Sequence, residues 1–149
     1  MQLISYDQFG KLRLRDFARN DAAIGEASDW EWMGACWHNE GIGFTSFSRH
    51  VSTPDQTGGL EISFNELSAD SSQLLLRTIG LPLRPGMSTT EVLSVLGPPA
   101  DTHQYVSDRR SYEFSVGIPE PYVVSCTVHD TDGLIYVTVI RSDLLNTDE

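Results

Sequence analysis

Apolar and polar residues alternate along much of this chain, and a pair of helical stretches interrupts the alternation near its middle. Residues 3–8 and 11–17 read as two strands around Phe9-Gly10, with Leu12 and Leu14 alternating against Lys11, Arg13 and Arg15. Residues 19–28 are polar and alanine-containing, which suits a loop or short helix. Trp30 and Trp32 alternate with Asp29, Glu31 and Met33, so a strand there places both tryptophans on one face. Residues 37–42 (Trp-His-Asn-Glu-Gly-Ile) read as a hairpin turn, with 42–51 returning as a strand. A Pro/Gly-containing loop over 52–59 leads to a further strand, in which Leu60, Ile62 and Phe64 alternate with Glu61, Ser63 and Asn65.

The period then changes from two to that of a helix. Asp70 is the expected cap of a first helix, with Gln73 three residues on, Leu75, Leu76 and Ile79 on its apolar face, and Gly80 and Pro82 ending it. A second helix is marked at both ends within residues 84–100. Ser88 and Glu91 form a capping box, in which the hydroxyl and carboxylate each accept a first-turn amide hydrogen. Met87 before the cap and Val92 within the helix make a hydrophobic staple. Val92, Val95 and Leu96 share a face, and Gly97-Pro98-Pro99 forbids continuation. So short a helix is marginal alone and needs a packing partner.

Four strands follow. Residues 102–107 carry the weakest pattern. In the next, Tyr112, Phe114 and Val116 oppose Ser111, Glu113 and Ser115. Then Tyr122, Val124, Cys126 and Val128 alternate with Val123, Ser125, Thr127 and His129. Asp130-Thr131-Asp132-Gly133 supplies a tight hairpin turn into a β-branched strand over 134–141. No internal repeat is visible. The pattern predicts an α+β fold: an antiparallel meander with two short helices on one face, over residues 67–149, preceded by a β-rich segment over 1–66 on the same or an adjoining sheet. The two parts can form one compact domain.

Composition narrows the function classes. The 149 residues are 40% apolar and carry a net charge of −11. Such a surface repels nucleic acid and anionic membrane and suits a basic protein partner. Charge is uneven: residues 1–19 hold four bases against two acids, and residues 20–70 hold nine acids against Arg49 alone. The second segment also contains Trp30, Trp32 and Trp37, a residue type used both in cores and at interface hot spots. Two distant cysteines, Cys36 and Cys126, make no disulfide framework and suggest a reducing, cytoplasmic setting.

No catalytic motif emerges. Cys36-Trp37-His38 lacks the arrangement that activates a nucleophile. His38, His50, His103 and His129 lack helical metal-ligand spacing. Asp130-x-Asp132-Gly133 starts like a calcium loop without its later ligands, and Gly41-Ile42-Gly43 lacks the rest of a phosphate loop. No cofactor or metal is expected.

The second helix carries a family resemblance. Gly86, Met87, Ser88, Glu91, Val92, Leu96, Gly97 and Pro99 match a Gly-Met-Thr-x-x-(Glu/Gln)-Val-x-x-x-Leu-Gly-x-Pro signature. With Tyr112-Glu113-Phe114 and the Asp132-Gly133 turn, residues 67–141 resemble the SmpA/BamE-type module, shared with the repeats of β-lactamase inhibitor proteins. The resemblance implies a non-enzymatic protein-binding scaffold or inhibitor. Envelope members carry an export signal and a lipidated cysteine, neither of which is displayed here. Charge and resemblance together point to a cytoplasmic immunity protein that covers the active site of a cognate bacterial toxin. The expected contact residues are Trp30, Glu31, Trp32 and Glu40, with Glu113 and Asp132 on the sheet side. The alternatives are an inhibitor or scaffold for an endogenous enzyme or envelope component, and a small-ligand binder with a polar pocket near His103 or His129.

Overall fold

The chain runs through the same order of elements twice. The computed structural model describes residues 2–18, 25–32, 35–42, 44–50, 52–118 and 120–145, without the side chains of 18, 25–32 and 35–39. Helices α1 (Tyr6–Gly10) and α2 (Arg15–Ala18) precede strands β1 (Gly25–Trp32), β2 (Ala35–Ile42), β3 (Thr45–His50) and β4 (Gly59–Ser63). Helices α3 (Ala69–Ile79) and α4 (Thr89–Leu96) precede β5 (Asp101–Val106), β6 (Arg109–Val116), β7 (Tyr122–His129) and β8 (Gly133–Arg141). All eight strands join one sheet in the order β1-β2-β3-β4-β8-β7-β6-β5, antiparallel throughout. The last strand of each unit meets at the centre and the first lies at an edge. The repeat invisible in the residues is therefore present in the topology, and the expected α+β architecture holds across both halves. The division expected near 66–67 falls between two units that share one sheet.

The opening residues correct the two-strand expectation for 3–8 and 11–17. Ser5 caps α1, and Gln8 completes a capping box with it. Those ends outweigh the short Leu12/Leu14 alternation, because α1 and α2 are fixed by what they touch. Phe9 is fully buried against Tyr122, ring centroids 5.1 Å apart, and Tyr6 meets the same ring edge-on at 5.3 Å. The Tyr122 hydroxyl donates to the Ile4 carbonyl at 2.7 Å, and the Ile4 N–H donates to the Ile79 carbonyl at 3.1 Å. The N-terminal helix is thus held by the second unit's strand and helix. The expected hairpin over 37–42 is also corrected: that stretch is strand β2, and the chain turns beyond Ile42.

Both central helices form where their end signals lie. In α3 the cap is Ser68 rather than Asp70, its side chain accepting from Ser71 N–H, and Leu75, Leu76 and Ile79 are fully buried. In α4 the capping box of Ser88 and Glu91 is complete, and Met87 and Val92 are buried as the staple requires. Burying a Leu, Ile or Val side chain contributes about 1.5–3 kcal/mol, so these contacts far outweigh helix propensity. They pack on one sheet face, traced by the row Phe114–Val124–Val139–Leu60–Phe47 across five strands.

The entry to α4 is pinned to the β7–β8 turn. Gly86 N–H donates to the Leu134 carbonyl at 3.0 Å, and Leu134 N–H returns to the Met87 carbonyl at 2.8 Å. Gly133 lies between them at φ +75°, and a Cβ there would stand 2.3 Å from the Gly86 carbonyl oxygen. Gly86 also has positive φ, but its nearest obstacle is at 3.9 Å. Gly133→Ala is therefore expected to lower the urea-unfolding free energy clearly more than Gly86→Ala, where left-handed strain alone costs about 1–3 kcal/mol. Ser88→Ala should cost about 1 kcal/mol by the same measurement. Equal losses for the two glycine variants would show that the close approach does not constrain the fold.

The open face of the sheet as candidate functional site

Strand alternation sorts the sheet into two unlike faces. Along β7, Tyr122, Val124, Cys126 and Val128 are buried, and the intervening Val123, Ser125, Thr127 and His129 are part-exposed. The register carries this polar face across the molecule. Asp101, Glu113, Ser125, Thr138, Glu61, Ser46, Gly41 and Gly25 stand in one row through all eight strands. A second row holds His103, Ser111, Thr127, Tyr136 and Ser63. Ser111 and Thr127 hydroxyls are 2.8 Å apart, and the Tyr136 hydroxyl donates to Glu61. Burial and then the Glu61 carboxylate push the Tyr136 phenol up, keeping it a donor. From β5 to β4 the face carries hydroxyls and carboxylates on paired strands, and toward β3 it closes, with Ser63 and Ser46 buried.

The expected contact residues separate on this frame. Glu113 lies on the open face. Asp132 lies exposed in the β7–β8 turn. Glu40 does not belong to a contact surface: its partner in the register is Phe47, on the helix-covered face, and it is 7% exposed. Its carboxylate accepts Leu14 N–H at 3.2 Å and the Arg15 guanidinium at 2.5 and 2.9 Å. A buried carboxylate needs such partners, so Glu40 anchors α2. Trp30, Glu31 and Trp32 are on edge strand β1, with Trp30 opposite Trp37 in the register, and their side chains lie outside the described residues. Sequence reasoning missed Glu61, Ser125, Tyr136 and Thr138. Their signal was the polar half of the alternation, which marks a face without saying that it is left open.

The ends of β5–β8 hold the ionisable clusters. His103 Nε2 lies 3.3 Å from Asp101 Oδ2 and 3.4 Å from Glu113 Oε2. Among the described residues this is the one group of three His, Cys, Asp or Glu ligand atoms close enough to share a metal ion. Near the opposite strand ends, His129 Nδ1 accepts the N–H groups of Thr131 and Asp132, both at 3.1 Å, leaving Nε2 to face Asp108 at 3.2 Å. The residues read as a turn thus form one, closed by a histidine. Clefts of about 380 and 410 Å³ flank His129; Arg110, Gln104 and Ser88 line the first, and Arg109, Asp132 and Asn65 the second. Cys126 is buried, and burial pushes its thiol up to about 12, which leaves it unreactive.

Comparison with known protein families, with curated proteins and with solved structures finds no match for this chain. No described helix is long and apolar enough to cross a membrane.

Asp108 provides a pH test of the turn cluster. The hydrogen-bonded Arg109 guanidinium, and to a lesser degree His129, hold its carboxyl at about 2, below the ordinary 3.8. A depressed folded pKa contributes stability that is complete above the unfolded value and lost as pH falls through the folded one. The stability difference between the wild-type chain and Asp108→Asn, from urea unfolding at each pH, should therefore hold steady above about pH 5 and shrink between pH 4 and 2. A difference unchanged down to pH 2 would contradict the assignment.

Proposed function

We propose that this chain is a non-enzymatic protein-binding module whose open sheet face docks a basic partner. In its most concrete form it is a cytoplasmic immunity protein that occludes the active site of a cognate bacterial toxin. The observation that carries the reading is the polar row from Asp101 to Glu61, on the face opposite the packed helices of a molecule with net charge −11. Four strand spacings of about 4.8 Å, from β5 to β4, and strands about 20 Å long give a face on the order of 400 Å². That is about half of the roughly 800 Å² each partner buries in a stable complex. Its hydroxyls and carboxylates are held by the ladder, so docking would order few side chains. Acidic charge would speed encounter with a basic toxin and orient it.

The SmpA/BamE-type resemblance belongs to this proposal. The helix-helix-four-strand order of residues 69–141 agrees with it, and the first unit repeats that order. An inhibitor or scaffold for an endogenous enzyme or envelope component would use the same face. Small-ligand binding is a second reading, favoured by the polar clefts beside His129.

The test is co-expression with the product of the neighbouring reading frame, followed by calorimetry on the purified pair. Protection from growth arrest and tight association are expected. Glu61→Lys combined with Glu113→Lys should weaken association at least about tenfold, as like charges are placed against a basic surface. Full affinity in that double variant, at unchanged thermal stability, would remove the open face from the reading.

A further inference from the structure

The cross-strand register of β5 and β6 sets two carboxylates directly opposite each other. Asp101 is the register partner of Glu113, and like charges so placed destabilise a ladder. Among the described residues no lysine or arginine forms an ion pair with either one. His103, two residues along β5 on the same face, instead brings Nε2 to 3.3 Å from Asp101 Oδ2 and 3.4 Å from Glu113 Oε2. One ring N–H can point at only one of these oxygens. A single cation can lie against all three atoms at once.

From this geometry we infer a divalent transition-metal site formed by Asp101, His103 and Glu113, with zinc as the ion that best suits it. Bonds of about 2.0–2.1 Å in a tetrahedral zinc site separate neighbouring ligand atoms by roughly 3.3 Å, close to both distances at Nε2. The third pair, the two carboxylate oxygens, lies within the 4.8 Å that encloses the group, a span that small side-chain rotations can close. One imidazole with two carboxylates is a ligand set zinc accepts, and the nitrogen disfavours magnesium and calcium. The ligands are oriented already: Asp101 Oδ1 accepts Thr102 N–H at 2.8 Å, and the His103 ring stacks on Tyr105 at 5.7 Å. Such supports fix first ligands in metal sites generally. Asp101 is exposed and His103 and Glu113 are part-exposed, so a fourth position remains for water or for a donor from another molecule. The inference stands independently of the proposed toxin partner.

Titration of the tag-free full chain with zinc chloride in a non-chelating buffer tests it, with cobalt(II) absorption as a second readout. One saturable equivalent is expected, with a visible cobalt spectrum of low coordination number. His103→Ala, Asp101→Asn and Glu113→Gln should each weaken zinc binding at least about tenfold, since loss of even an outer-shell partner costs that much. Their far-UV circular dichroism and melting temperature without metal should match the parent chain. Millimolar magnesium or calcium should not compete. No saturable zinc binding, undiminished binding in His103→Ala, or displacement by magnesium would each overturn the assignment.

Discussion

The antiparallel pairing of β4 with β8 is the contact on which the rest of this structure depends. It runs from Gly59 opposite Ile140 to Ser63 opposite Tyr136 and fuses two four-stranded units into one sheet. On the helix side it sets Leu60 and Ile62 against Val139 and Val137, all essentially without solvent exposure. On the other side it brings Glu61 to Thr138 and lets Tyr136 reach Glu61. A one-residue slip of β4 would turn Glu61 inward and expose Leu60 and Ile62. The seam therefore specifies the core and the open face together. The N-terminal helix adds a second tie across it, since Phe9 and Tyr6 both pack on Tyr122.

What could be read in the residues depended on whether the deciding interaction was local. The cap, staple and stop of α4 lie within residues 86–99, and strand β7 alternates without fault, so both were legible. Helices α1 and α2, of five and four residues, are too short to show a period. Their one local signal was the Ser5-x-x-Gln8 box, and the contacts that hold α1 come from residues more than a hundred positions away. Strand β2 was misread for a related reason. Its helix-facing Glu40 is polar where an apolar residue is expected, and only the fold supplies Arg15 and the Leu14 N–H to satisfy it.

The candidate site was legible only in its chemistry. Glu113 and His103 were visible as ionisable residues, but their meeting with Asp101 follows from the strand register that sets Asp101 opposite Glu113. Serine and threonine on the open face carry no motif at all. Their significance comes from being aligned, since the pairing of β5, β6, β7, β8 and β4 brings isolated hydroxyls side by side. Glu40 illustrates the converse. An acid in the most acidic segment of the chain was assigned to the surface by composition, and folding placed it in the interior.

The sheet's two edges bear on how a partner would meet it. A flat open edge presents unpaired N–H and carbonyl groups and invites another strand to add on. Here both edge pairs are irregular: β1 against β2 shifts register between Ala27 and Trp30, and β5 against β6 shifts between His103 and Val106. Bulges twist a strand away from its ladder and interrupt its hydrogen-bonding row. Asp101 adds charge at the start of β5, a further obstacle to strand addition. Edge pairing is thereby opposed at both sides of the sheet, whereas the ladders between them run without a register shift except between Thr127 and Val128 of β7. A partner recognising this molecule through its sheet would therefore lie across the strands and read side chains from several of them, so its specificity would follow from the register that β4 and β8 establish.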